Sequence, residues 1–316
     1  VVYFHELCVK GVAMPIRTLE EMLSTVKNAR NRRVAIAAGN DPHTIEAAEK
    51  AVRENVVDIT LIGDKKKMEA IAGEKKIDLS LFDIVDEPDE WKAGKKAIGM
   101  VRSREADILM KGLISSAIYM RLILDKEEGL IERGNILSHI AVLESPHYPK
   151  LIFAADVAVI PAPDLAQKVK MLEYCIAIAQ MLDIAEPKAA IIAATEKVSL
   201  KMPATVEAAI ITQMARRGQI KGAIVDGPLA LDVAVSKECC DIKGLVSPVG
   251  GDADILIFPT IEAGNSFYKS ITQLGGGRLA ALVTGTTAPC ILTSRADSED
   301  SKFLSIALAA KTVKEQ

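Results

Sequence analysis

The chain has 316 residues, 49% of them hydrophobic but only 4% aromatic, so its core must be built mainly from Ala, Ile, Leu and Val. A formal net charge of −3 leaves no basic excess for a polyanion such as nucleic acid. Five cysteines without C-x-x-C spacing and four scattered histidines argue against a disulfide framework or a zinc site, and point to a reducing, cytoplasmic setting.

No apolar run reaches the length of a membrane span. Residues 1–13 are too short and too interrupted for a signal peptide, and read as an extension ahead of Met14-Pro15-Ile16. Residues 34–38 then read as a strand. Asp41 caps the helix that follows, with Pro42 at its first position and Ile45, Ala48 and Val52 on its inner face. Residues 58–62, 82–85 and 106–110 give further strands separated by helical patterns, the βαβ signature of a parallel sheet. Residues 136–143 and 151–155 predict two strands, with the Pro-rich segment Ser145-Pro146-His147-Tyr148-Pro149 as a turn between them. A long helix is predicted over 164–182. After it come a strand at 189–194, a helix at 204–217 stopped by Gly218, and strands at 222–226 and 253–258. A helix at 263–274 stopped by Gly275, a strand at 279–284 and a last helix at 300–314 complete the pattern. The fold class is α/β: two α/β/α domains with mainly parallel sheets and a cleft between them. The boundaries expected are 14–138 plus 290–316 for the first domain and 139–289 for the second, inserted one.

Four polar stretches fall where a strand gives way to a helix, which is where ligands bind in α/β proteins. The first is Lys111-Gly112 with Ser115 and Ser116, whose hydroxyls and N-terminal N–H groups suit an anion; ordinary capping explains them equally well. The second is Asp226-Gly227-Pro228, either a turn cap or a cleft edge. In the third, Gly264-Asn265 offers close backbone approach, and Lys269 follows one turn later on the same face, with a solvent-facing lysine as the alternative. The fourth runs from Thr284-Gly285-Thr286 to Ser294-Arg295, Asp297, Glu299 and Asp300. It combines hydroxyls, a guanidinium fork suited to phosphate and several carboxylates, although a helix cap and a surface charge would look similar. His43 lies near a strand end, within reach of such a cleft or simply exposed. No G-x-G-x-x-G, P-loop or G-x-S-x-G pattern stands at a strand-to-helix junction.

These junctions, in this order, resemble the phosphate acetyltransferase/phosphate butyryltransferase family. The matching segments are Lys111-Gly112, Phe153-Ala154-Ala155-Asp156-Val157-Ala158-Val159, Asp226-Gly227-Pro228-Leu229-Ala230-Leu231-Asp232, Asp254-Ile255-Leu256-Ile257-Phe258-Pro259 leading to Gly264-Asn265, and Ser294-Arg295. Ser294-Arg295-Ala296-Asp297-Ser298 looks closer to the butyryl branch than to the acetyl branch's Ser-Arg-Gly-x-Ser. The resemblance implies a fold related to isocitrate/isopropylmalate dehydrogenase, a homodimer, and reversible transfer of a short acyl group between CoA and inorganic phosphate through acyl phosphate. It implies no metal or redox cofactor, no nucleic acid and no membrane. A phosphate acetyltransferase and a non-catalytic acyl-CoA-sensing module are the alternatives.

On that reading, Arg295 binds phosphate oxygens or the developing oxyanion, and Ser294 hydrogen-bonds the carbonyl or the leaving phosphate. Ser115, Ser116, Asn265, Lys269, Gly285 and Thr286 complete the phosphate and acyl site. The family's catalytic Asp falls on Ser301 in an ungapped alignment. That leaves the base open between Asp300, as first choice, another nearby carboxylate and the thiol's own ionisation.

Overall fold

The computed structural model describes residues 14–27, 32–294 and 296–313, so the expected extension at 1–13 lies outside the described residues. Helix α1 (Leu19–Val26) opens on a capping box between Thr18 and Glu21 and is an addition to the elements expected from sequence pattern. The βαβ series follows as β1 (Arg33–Ala37), α2 (Pro42–Arg53), β2 (Asp58–Gly63), α3 (Lys65–Lys75), β3 (Asp83–Asp86), α4 (Glu90–Arg102), β4 (Ile108–Lys111) and α5 (Ser116–Ile123). Asp41 caps α2 as expected, and Ile45 and Ala48 are buried on its inner face.

The second series begins with β5 (Ser138–Glu144) and β6 (Ile152–Ala155), an antiparallel pair across the predicted turn. It continues through α6 (Leu165–Met181), β7 (Lys188–Ile192), α7 (Pro203–Arg216), β8 (Ile224–Leu229), α8 (Leu231–Val235), α9 (Lys237–Lys243), β9 (Ile255–Ile257) and α10 (Ile261–Gln273). The chain ends in β10 (Arg278–Thr284), β11 (Cys290–Ile291) and α11 (Glu299–Thr312).

Among the described residues, eleven strands form one mixed sheet, mostly parallel, in the order β3-β2-β1-β4-β11-β10-β5-β6-β9-β7-β8. β3, β2, β1, β4 and β11 are mutually parallel, and so are β6, β9, β7 and β8. The antiparallel pair β10 and β5 joins the two sets and makes them run in opposite directions. One line of register crosses this seam through Leu109, Cys290, Val283 and His139. The inner strands β1, β4, β6 and β9 are almost entirely buried on both faces, as a sheet covered by helices requires. Helix α11 is buried almost all round, from Lys302 to Ala310, and packs on α1, α2 and β10, so the C-terminal segment returns to the first half.

Candidate functional site

Three loops leave the carboxyl ends of neighbouring strands in the first half. After β1 the chain passes through Gly39 and Asn40 to Asp41, whose Oδ2 accepts from Thr44 N and Thr44 Oγ1 at 2.9 and 2.5 Å. After β4, Gly112 N and Leu113 N donate to Ala37 O and Ala38 O, both at 2.8 Å, which fastens the second loop to the first. Ser115 Oγ then caps α5 by accepting from Ile118 N, and Ser116 is exposed as the helix's first residue. Both hydroxyls therefore stand at a helix N-terminus beside the end of β4, where unsatisfied N–H groups favour an anion.

The third loop follows β11 and is held from several sides. Ser294 N donates to Asp297 Oδ2 at 2.7 Å, and Asp297 N returns to Ser294 O at 3.2 Å, closing a tight turn that contains Arg295 in sequence. Arg295 itself lies outside the described residues. Lys302 Nζ reaches back from α11 to Ser294 O and Asp297 O, at 3.2 and 3.1 Å. Just before the turn, Leu292 O meets His139 Nε2 at 3.0 Å, although His139 stands on β5 with β10 between it and β11. The carbonyl must accept, so Nε2 carries the proton. Burial lowers the His139 pKa, against the opposing pull of Asp156 and Asp297, and the ring stays neutral.

Behind His139, Asp156 anchors the bend after β6. Its Oδ2 accepts from Ser138 Oγ and His139 N, and its Oδ1 from Ala158 N and Val159 N, all at 2.7–2.9 Å. The carboxylate is thus a fully bonded staple for the bend after β6. Val159 packs against the same apolar cluster as Leu113 and Leu292 of the first half. Asn265 Nδ2 donates to Val157 O at 2.8 Å, and a Cβ on Gly264 would stand only 2.3 Å from Asp156 O. Glycine is what lets the start of α10 approach the bend, so the motifs around Asp156 and Gly264-Asn265 form one packed unit.

Other predicted residues are placed elsewhere. Asp300 does not face the turn. Its carboxylate accepts from Arg278 Nε and Nη2 at 3.0 and 3.2 Å, with Lys50 at 3.6 Å. It lies two positions from Lys302 on α11, about 200° around the helix. Lys269 is exposed, with its ammonium 5.1 Å from the Tyr268 ring centroid, which fits the solvent-facing alternative. Gly285 and Thr286 lie before β11, apart from Ser294 beyond it. Gly285 has φ +91°, and a Cβ there would collide with Ile136 O; Thr286 Oγ1 donates to Ala288 O. Both line a cavity of about 860 Å³ with Tyr174, Asn135 and Arg102, but neither Ser115, Asn265 nor Ser294 does. The hydroxyls of Tyr174 and Thr286 in that cavity donate to the backbone carbonyls of Ile136 and Ala288.

Asp226-Gly227-Pro228 is not a strand-to-helix junction. These residues lie inside β8, at the far edge of the sheet, where Asp226 Oδ2 accepts from Ser247 Oγ at 2.6 Å. His43 is exposed and 3.5 Å from Glu46. Sequence reasoning gave no role to Lys302, His139 or the Asp156 staple. Lys302 carried a signal, a single cation heading the apolar run Phe303-Leu304-Ser305-Ile306-Ala307-Leu308. His139 carried none, because its partner is 153 residues away.

The fold and site together define an α/β protein with one mixed sheet, in which polar loops at the carboxyl ends of the first parallel set are met by His139 of β5. Residues 18–98 and 90–310 match the family described as phosphate acetyl/butaryl transferase, and the chain belongs to that family. It is 41% identical over 295 residues to the phosphate butyryltransferase of Clostridium acetobutylicum, covering 93% of this chain and 98% of that protein. It is 42% identical over 290 residues to the phosphate acetyltransferase of Thermotoga maritima, covering 92% and 98%. The crystal structure of a branched-chain phosphotransacylase from Enterococcus faecalis V583 aligns with TM-score 0.79 and 33% identity, over 90% of this chain and all of that one. Relatives of the butyryl and acetyl kinds are thus equally similar, and overall identity does not select the acyl group.

Proposed function

We propose that this chain catalyses reversible transfer of a short acyl group, butyryl foremost, between CoA and inorganic phosphate, without a metal or redox cofactor. The observation that carries the reading is the family match across the whole Ser294 turn and nearly all the rest of the chain. In one direction the CoA thiolate attacks the carbonyl carbon of an acyl phosphate. The C–S bond forms, the C–O bond to phosphate breaks, and the thiol proton ends on the departing phosphate. Arg295 stabilises the phosphate oxygens and the oxyanion, where preorganised charge is worth most. Ser294 orients the carbonyl or the leaving phosphate, and Ser115 and Ser116 add donors at the α5 N-terminus.

For the proton we assign Asp297, the carboxylate that stands at the turn, in place of Asp300, which Arg278 and Lys50 hold. A protein thiol nucleophile is disfavoured at the described cysteines nearest the core: burial pushes Cys290 up to about 12 and raises Cys175 as well. We also expect the two halves of the sheet to act as two bodies around the site, and the chain to work as a homodimer, which light scattering would check.

The test is thiol release from acetyl-, propionyl- and butyryl-CoA with and without phosphate. Phosphate-dependent release supports the reading, with the highest rate expected for butyryl. Binding of acyl-CoA without release would favour a sensing module instead.

A further inference from the structure

Lys302 is 2% exposed and lies in the second turn of α11, with a side chain that reaches back toward the helix's positive end. Each of these features is unfavourable for a cation. Burial strips its hydration, the helix dipole repels it, and a long flexible side chain loses its rotamer freedom. Among the described residues no carboxylate lies within ion-pair distance. Asp41 and Asp297 act on it only at longer range, and burial lowers its pKa in spite of them. Its hydrogen bonds go to two main-chain carbonyls, Ser294 O and Asp297 O. Those two residues flank Arg295-Ala296. An ammonium placed at such cost, and spent on these two carbonyls, fixes the direction in which each of them faces.

We propose that Lys302 is a positioning residue of the acyl-transfer site, its ammonium clamping the carbonyls of Ser294 and Asp297 so that the turn presents Ser294 to the substrate. The proposal rests on the functional reading given above, and its test separates the two.

Lys302→Met keeps the length and apolar stem and removes only the clamp. It is expected to lower kcat for phosphate-dependent thiol release about 100-fold, the order of loss for a reacting group misplaced by an ångström, with KM for acyl-CoA little changed. The double variant Arg295→Ala/Lys302→Met is expected to lose no more than Arg295→Ala alone, because both act through one turn. Independently of activity, trypsin cleavage after Arg295 is expected to accelerate at least about tenfold in Lys302→Met, as a local opening becomes easier. Lys302→Gln, which retains a shorter donor, serves with the same readouts if the Met variant does not fold. Wild-type kcat in Lys302→Met while Arg295→Ala is inactive overturns the clamp, as do losses that multiply in the double variant. If the wild-type chain releases no thiol from any acyl-CoA, the functional reading falls. The trypsin comparison then still decides the clamp, since unchanged cleavage overturns it and faster cleavage supports it.

Discussion

At Ser294 the main chain donates to Asp297 Oδ2 at 2.7 Å, so one carboxylate both closes the turn and stands beside the proposed reacting centre. Asp300 is a contrasting case, a half-exposed carboxylate in an ion pair with Arg278. Asp297→Asn is therefore expected to lower the acyl-transfer rate by about 10²–10⁴, the range for loss of a proton-transfer group. Asp300→Asn is expected to leave the rate near wild type and to cost at most about 1 kcal/mol of stability, as for exposed pairs. The reverse ranking in initial-rate and denaturation measurements would return the base to Asp300. Arg295→Ala, folded by circular dichroism, should lose about 10²–10³ in kcat, and near-wild-type turnover would remove Arg295 from the mechanism.

His139 gives a prediction with a defined sign. Its Nδ1 is buried and has no partner among the described residues, so protonation would place a charged, unbonded N–H in the core. Burial holds its folded-state pKa below the ordinary 6.5, so the unfolded chain takes up the proton first as pH falls. The stability associated with neutral His139 is complete above about 6.5 and declines as pH drops toward the lowered folded value. The slope from this one group is at most about 1.4 kcal/mol per pH unit. Urea denaturation between pH 7.5 and 5 should show a shallower decline in His139→Gln than in the wild type. Identical slopes would mean that His139 is not buried neutral.

At the scale of elements, the site depends on how closely neighbouring pieces approach. Gly264 is one such place, with Asp156 O 2.3 Å from where a Cβ would sit. Gly264→Ala must push the start of α10 away from the bend after β6, straining the Asn265–Val157 bond. The expected loss is about 1–3 kcal/mol, the usual cost of overpacking, together with weaker acyl-CoA binding. A variant as stable as wild type would show that α10 can shift freely. Much at this scale was legible beforehand. Asp41 and Ser115 each cap the helix expected after them, because capping is a local rule of one side chain and the next turn. The Asp226 motif was misplaced for a physical reason. Gly-Pro reads as a turn locally, yet at the edge of this sheet the pairing with β7 carries the strand through to Leu229.

For the whole molecule, the central pair β10 and β5 is decisive. It reverses the direction of the second parallel set and brings His139 of β5, backed by Asp156, to the loop that follows β11. In the proposed reaction a single methylene of the acyl chain discriminates by only about 1–3 kcal/mol. Rates with acetyl-, propionyl- and butyryl-CoA are accordingly expected to differ by about 10–200-fold per step, rising toward butyryl. A flat profile would argue against a fitted acyl pocket. Saturating CoA should raise the thermal midpoint by binding only the folded chain, and an unchanged midpoint would argue against CoA recognition.

The sequence by itself determined the alternation of strands and helices, their caps, the apolar composition of the core, and the ordered junction motifs that identify the family. These are properties of near neighbours or of residue order, and each is written in consecutive residues. Only the tertiary structure decided that the parallel sets form one sheet, that Asp300 turns to Arg278, that Gly285 and Thr286 serve a separate turn, and that Lys302 and His139 hold the carbonyls around Ser294. Those outcomes depend on which side of a helix faces which strand, and on partners up to 153 residues apart. Local preference does not encode them, because the free energy that selects them comes from burial and hydrogen bonding across the assembled sheet.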